Sequence, residues 1–233
     1  LLLSDSLGLG LLDADAARLD KLVAAARAAI KKDPDDAVAH CHLGVGCFKR
    51  EQYEEAVKEF ARAVQLRPEA WGVIYLEAFA TALGRSWTHP AVEQLCKQAL
   101  GLNPQFREAT SLLHIYAGRM AAESSEPDNE TALGEFRQAL ALEIPEHMPY
   151  IYDFSGQAFD EAEDKDNAIK MYQEACQRGF VNAMILTRLG ILLKDTGQAR
   201  LAIFELEKAE ELDPTNPGIK DMLSQLKAKS AKG

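Results

Sequence analysis

His40, Cys41 and His42, with Cys47 further along, are the cluster whose side-chain types could hold a transition metal. Consecutive helical residues point in different directions, so only Cys41 and its neighbours three or four away share a face. Metal binding is therefore not expected, and these residues are read as surface and groove packing. Asp160, Glu161, Glu163, Asp164 and Asp166 could act as paired acid and base or as a calcium loop, but they lack the spacing and the glycine of such a loop. They read as a solvated helix end and turn, and Glu205, Glu207, Glu210 and Glu211 as the wet face of an outer helix. The pairs Gly8/Gly10 and Gly44/Gly46 do not continue into a dinucleotide fingerprint, and Ser155 with Gly156 lacks the G-x-S-x-G pattern of a nucleophile elbow. No catalytic set emerges, so the chain is expected not to be an enzyme and to need no cofactor.

The elements that carry these residues come from an ordinary globular composition. The chain has 233 residues, 47% hydrophobic and 27% charged, enough to bury a sizeable core. Its 26 Lys and Arg against 36 Asp and Glu leave a formal charge of -10, which repels nucleic-acid phosphate and anionic lipid. Nucleic acid is accordingly not expected as a partner. The four cysteines, Cys41, Cys47, Cys96 and Cys176, form no C-x-x-C pair and no disulfide framework, which favours a reducing compartment, the cytoplasm or an organelle interior. No run reaches the roughly 18 apolar residues of a membrane span. Leu1 to Leu12 is apolar but interrupted by Asp5 and lacks basic residues ahead of it, so it does not read as a signal peptide; a targeting segment ahead of Leu1 remains open.

Periodicity organises the chain. Pro34 and Pro68 stand 34 residues apart and close two similar segments. Residues 37–70 carry Leu43, Gly44, Cys47, Tyr53, Ala56, Phe60, Ala63 and Pro68, and residues 183–216 carry Leu186, Leu189, Gly190, Leu193, Gly197, Ala202, Leu206, Ala209 and Pro214 at the same spacing. Small residues at Gly44, Ala56, Gly190 and Ala202 let two antiparallel helices approach, and Phe60 and Leu206 fill the groove between them. The prolines end each second helix. This pattern resembles the tetratricopeptide repeat, and the resemblance covers residues 37 to 216.

The intervening segments keep the pattern less strictly. Residues 149–182 retain Tyr152, Gly156, Phe159, Ala168, Tyr172 and Ala175, with Phe180 in the proline's place and a turn expected at Arg178 and Gly179. Residues 71–106 keep Cys96, Ala99 and Pro104, but carry two surplus residues around Gly84 to Pro90, and Glu77 stands where leucine is expected, which shifts the register of this first helix by about one position. Residues 107–148 keep Leu113, Ala132, Phe136 and Ala139, with about six extra residues at Ala122 to Asn129, an extended helix or an acidic loop. The expected fold is all-α, a right-handed solenoid of antiparallel helix pairs. About five repeats (37–70, 71–106, 107–148, 149–182, 183–216) follow an N-terminal segment with a capping helix or half repeat over 1–36, and a C-terminal capping helix and tail occupies 217–233. In that last helix Ile219, Met222, Leu223 and Leu226 cover the final repeat, while Lys227, Lys229 and Lys232 face water.

The resemblance implies a non-catalytic interaction scaffold, an adaptor or assembly factor whose partner lies on a concave wall built by the first helix of each repeat. Carried over position by position, the wall is Val38, Cys41, Val45, Phe48 and Lys49; Tyr75 and Phe79; Tyr150, Asp153, Gln157, Asp160 and Glu161; and Met184, Thr187, Ile191 and Lys194. Cys41 and Val45 stand where repeats that clamp the acidic tail of heat-shock chaperones have Lys and Asn, so a carboxylate clamp is not expected. An apolar groove flanked by negative charge suits an amphipathic helix or an extended hydrophobic segment with basic residues around it. The alternative is a permanent subunit of a larger complex, docked through its convex side and the irregular loops at 84–90 and 122–130; an enzyme is the least favoured reading.

Overall fold

The structure, a computed structural model, describes residues 16–230, and among these there are twelve helices and no strand. The all-α expectation holds. Leu1 to Leu12 and Lys232 lie outside the described residues, as does the side chain of Lys229. The chain divides into two compact units, one through Arg119 and one from Met120.

The first unit contains α1 (Ala16–Lys32), α2 (Ala37–Lys49), α3 (Tyr53–Leu66), α4 (Trp71–Gly84), α5 (Pro90–Leu102) and most of α6 (Arg107–Ala122). One turn recurs between its helices. Pro34, Pro68 and Pro104 each take the second place of a four-residue turn closed by a backbone bond, Asp36 N to Asp33 O (3.2 Å), Ala70 N to Arg67 O (3.1 Å) and Phe106 N to Asn103 O (3.1 Å). Proline suits that place because its φ is already near the value the turn requires. Asp36 then caps α2, accepting from Ala39 N at 3.0 Å, a contact worth about 1 kcal/mol.

Helix α4 begins at Trp71 directly after its turn, as α2 begins at Ala37 directly after its own, so the first helix of the second pair starts in step rather than one residue off. The two surplus residues fall in the connection from Arg85 to His89. There they have a use: Trp87 packs edge-on against Phe79 at 6.2 Å, and His89 Nδ1 accepts from Ala91 N at 3.2 Å, with Pro90 opening α5.

The second unit contains α7 (Asn129–Ala141), α8 (Met148–Glu161), α9 (Lys165–Gln177), α10 (Ala183–Asp195), α11 (Ala199–Leu212) and α12 (Pro217–Ser230). The acidic insertion is a loop: the helix ahead of it stops at Ala122, and Asp128 caps α7 through Thr131 N at 2.9 Å. Where Phe180 replaces proline, Gly179 adopts φ +85° and Phe180 N bonds back to Ala175 O at 2.9 Å, so a left-handed glycine ends α9. The proline turn returns after α11, with Asn216 N on Asp213 O at 3.3 Å around Pro214.

Within the pairs, the small residues sit where helices cross. A β-carbon placed on Gly44 would lie 2.7 Å from the Phe60 ring, one on Gly156 2.3 Å from Tyr172 Cζ, and one on Gly190 2.6 Å from Leu206 Cγ. Ala56, Ala168 and Ala202, on the opposing helices, are fully buried. These contacts bring α2 onto α3, α8 onto α9 and α10 onto α11, each pair joined by a three-residue turn. α1 lies against α2, where Val23 fills the space beside Gly46, and α12 closes α11 with Ile219, Leu223 and Leu226 buried.

Candidate functional site

The His-Cys-His cluster is spent on packing. His40 Nδ1 lies 2.6 Å from Glu59 Oε2 on α3, and its Nε2 donates to Pro34 O at 3.0 Å. Burial pushes the Cys41 and Cys96 thiols up to about 12, far from the thiolate that metal binding or nucleophilic attack requires. Among the described residues no three or more His, Cys, Asp or Glu gather into a metal-binding group. None of the described helices is long and apolar enough to cross a membrane.

The wall residues divide sharply by exposure. Val38 and Phe48 are half-buried and Lys49 is exposed, whereas Cys41 and Val45 are fully buried, because α2 is packed by α1 on one side and α3 on the other. Tyr75 and Phe79 are buried too. The Tyr75 ring stands 5.2 Å from Phe106 and 6.0 Å from Phe79, which in turn lies 5.5 Å from Phe48, so successive first helices are cemented by aromatics. On α8, Tyr150 and Gln157 are half-buried, Asp160 and Glu161 exposed, and Asp153 buried. Cys41, Val45, Tyr75, Phe79 and Asp153 are therefore corrected from partner contacts to core residues. On α10 the expected residues stay accessible: Met184 and Lys194 are exposed, Thr187 and Ile191 half-buried.

Asp153 is the hub of a polar cluster that the sequence did not reveal. Its Oδ1 lies 2.7 Å from Arg188 Nε, Gln157 Nε2 donates to Oδ2 at 2.7 Å, and the Tyr172 hydroxyl donates to its carbonyl at 3.2 Å. Burial and the neighbouring carboxylate hold the Tyr172 phenol far above its usual range, so it remains a donor. The cluster ties α8, α9 and α10 together and fixes Arg188 at the edge of a groove. That groove, of about 340 Å³, is lined by Ala183, Met184, Thr187, Arg188, Ile191, Asp213 and Asn216. It brings together three of the expected residues, Met184, Thr187 and Ile191, with the guanidinium at one side.

A second groove of the same unit, also about 340 Å³, runs past Arg137, Tyr152, Glu174 and Arg178. Three of its charges are matched internally: Arg178 lies 3.6 Å from Glu143 and 3.5 Å from Glu174, which accepts from the Tyr152 hydroxyl at 3.0 Å. In the first unit, a notch of about 260 Å³ is walled by Glu51, Glu54 and Glu55.

The tetratricopeptide-repeat family model matches residues 37–70 and again residues 185–216. The chain carries tetratricopeptide repeats. Among solved structures, a tetratricopeptide repeat protein from Parabacteroides merdae aligns at TM-score 0.67 with 14% identity, covering 97% of this chain and 83% of that one. Pseudomonas aeruginosa pilF aligns at 0.62 with 18% identity over 94% of this chain and 95% of that one. The Cut9–Hcn1 hetero-tetramer of the APC/C aligns at 0.57 with 18% identity over 94% of this chain, which spans only 48% of the matched chain. At these identities the likeness is one of fold. No curated protein matches in sequence. Tetratricopeptide-repeat chains generally serve as protein-interaction scaffolds rather than catalysts.

Glu77 marks a departure from this repeat, standing on α4 where α2 has Leu43 and α10 has Leu189. Burial pushes its carboxyl from 4.5 up to about 7, against the opposing pull of the Arg85 guanidinium. The folded chain thus holds a proton that the unfolded chain has released between these values, so stability falls as pH rises through this window and the full penalty applies above about 7. Glu77→Gln removes the penalty. After discounting for the partial exposure of the side chain, the variant is expected to gain about 1–2 kcal/mol at alkaline pH and nothing in acid. Urea unfolding at several pH values measures this, and parallel profiles for the two proteins would refute it.

Proposed function

We propose that this protein is a non-catalytic adaptor or assembly factor that holds a segment of a partner protein against the first helices of its pairs. The observation that carries the reading is the groove on α10, where the exposed Met184, the half-buried Thr187 and Ile191, and the Arg188 guanidinium line one opening. Its mixed lining suits one or two apolar side chains of an amphipathic helix or extended segment, with Arg188 and Asn216 beside them to bind the segment's backbone carbonyls. Val38, Phe48 and Lys49 in the first unit, and Tyr150, Gln157 and Lys194 in the second, belong to the same proposal. The net charge of -10 favours a partner with basic residues flanking its apolar ones.

Because Tyr75 is buried, the decisive variant lies on α10. Affinity purification from the native source, read by quantitative mass spectrometry, is expected to recover a defined partner. Recovery should fall about tenfold or more with the Met184→Ala/Ile191→Ala double variant, since each truncation removes on the order of 1 kcal/mol of apolar contact. Equal recovery by the two chains, with unchanged helix content, would overturn the proposal.

A further inference from the structure

Leu201, Phe204 and Leu212 are 50%, 54% and 55% exposed, the most exposed large apolar side chains among the described residues, and all stand on α11. Their spacing places them with Lys208 along one stripe of that helix. The stripe is not part of the repeat's own packing, since Ala202, Leu206 and Ala209 already face the core and are fully buried. Nor does α12 cover it: that helix meets the other flank of α11, where Lys227 Nζ lies 2.7 Å from Glu207 Oε1. Lys208 bends over the stripe, its Nζ 4.9 Å from the centre of the Phe204 ring and 2.9 Å from Glu205 Oε2.

Two pairs of residues, along the stripe and at its edge, are self-complementary. About a point midway between Leu206 and Glu207, Leu201 mirrors Leu212 and Glu205 mirrors Lys208. We propose that α11 is a homotypic docking surface, on which a second copy of this chain lies antiparallel about a two-fold axis at that point. In this arrangement Leu201 of each copy meets Leu212 of the other, and Lys208 meets Glu205, so every contact occurs twice. A parallel pairing would set Lys208 against Lys208 and Glu205 against Glu205, which charge repulsion disfavours. One helix per copy makes a small interface, below about 1,200 Å². With like net charges on the two copies, the association is correspondingly weak, with a dissociation constant on the order of 100 µM at physiological salt, where the Debye length is about 8 Å.

Sedimentation equilibrium on the full chain, from about 10 µM to about 1 mM, reads this directly. The wild-type chain is expected to pass from monomer to dimer across that range. Phe204→Glu, Leu201→Glu and Leu212→Lys, at exposed positions that leave the fold intact by circular dichroism, should each weaken dimerisation at least about tenfold. An equimolar mixture of Leu201→Glu with Leu212→Lys should recover dimer, because the antiparallel register sets the new Glu against the new Lys at one end and keeps Leu against Leu at the other. A wild-type chain that stays monomeric throughout overturns the proposal and leaves the stripe to a different protein. A mixture that associates no better than either variant alone overturns it as well. The α10 groove does not use this stripe, so this outcome is independent of the partner reading.

Discussion

Gly156→Ala is expected to destabilise the second unit by about 2–3 kcal/mol, the cost of forcing a methyl group into a filled helix crossing. The added carbon would stand 2.3 Å from Tyr172 Cζ and 2.7 Å from its hydroxyl. The Tyr172 ring is 1% exposed and its hydroxyl is held by Asp153, so it has nowhere to retreat without breaking that bond. The sign is informative, because the same change in an open helix position runs the other way. Gly134 on α7 has nothing within 4 Å of the new carbon, and Gly134→Ala should therefore stabilise by about 0.5–1 kcal/mol through helix propensity alone. Urea denaturation of the two variants beside the parent measures both. Equal midpoints for Gly156→Ala and Gly134→Ala would mean that the α8 and α9 backbones do not approach as closely as the packing requires.

What the sequence made legible were the features set by short-range geometry. Pro34, Pro68, Pro104 and Pro214 mark one recurring turn, and Gly44, Gly156 and Gly190 mark the crossings, because each such position tolerates few residue types whatever surrounds it. The exposure of the wall residues was not legible. Position along a first helix tells which way Tyr75 points, but only the next pair determines whether that side is open, and here Phe106 and Phe79 close over it. Position alone places Asp153 on the wall in the same way, although it is buried. A signal existed: Arg188 follows one repeat and one residue later, so a search for opposite charges at that separation would have paired them. Leu201, Phe204 and Leu212 stand outside the interior spacing of their helix, but their exposure depends on what the neighbouring helices leave uncovered. Trp87 was hidden in the two surplus residues, whose packing against Phe79 depends on a connection of irregular shape.

Arg188→Met is expected to cost about 2 kcal/mol, and adding Asp153→Asn to it should return at least half of the loss. The side chain of Asp153 is 4% exposed, so its charge has little access to water and depends on its partners. With Arg188 gone, Gln157 and Tyr172 still donate, but the guanidinium charge beside the carboxylate is lost, and weakening the compensation of a buried charge is costly. The Arg188 side chain is 42% exposed, so its attraction to Asp153 is partly screened and the loss falls short of the 3–5 kcal/mol typical of a fully buried broken pair. In the double variant the amide is neutral and still accepts from Gln157 or Tyr172, which removes the cause of the penalty rather than masking it. Asp153→Asn alone should cost less than Arg188→Met alone, about 1 kcal/mol, because the guanidinium left behind can turn to solvent. A double-mutant cycle by urea denaturation tests the coupling, and strictly additive effects would show that the two residues stabilise α8 and α10 independently. The same cycle bears on the groove. Arg188 reaches its edge only while Asp153 holds it, so partner recovery should fall in Asp153→Asn even where the unit stays folded.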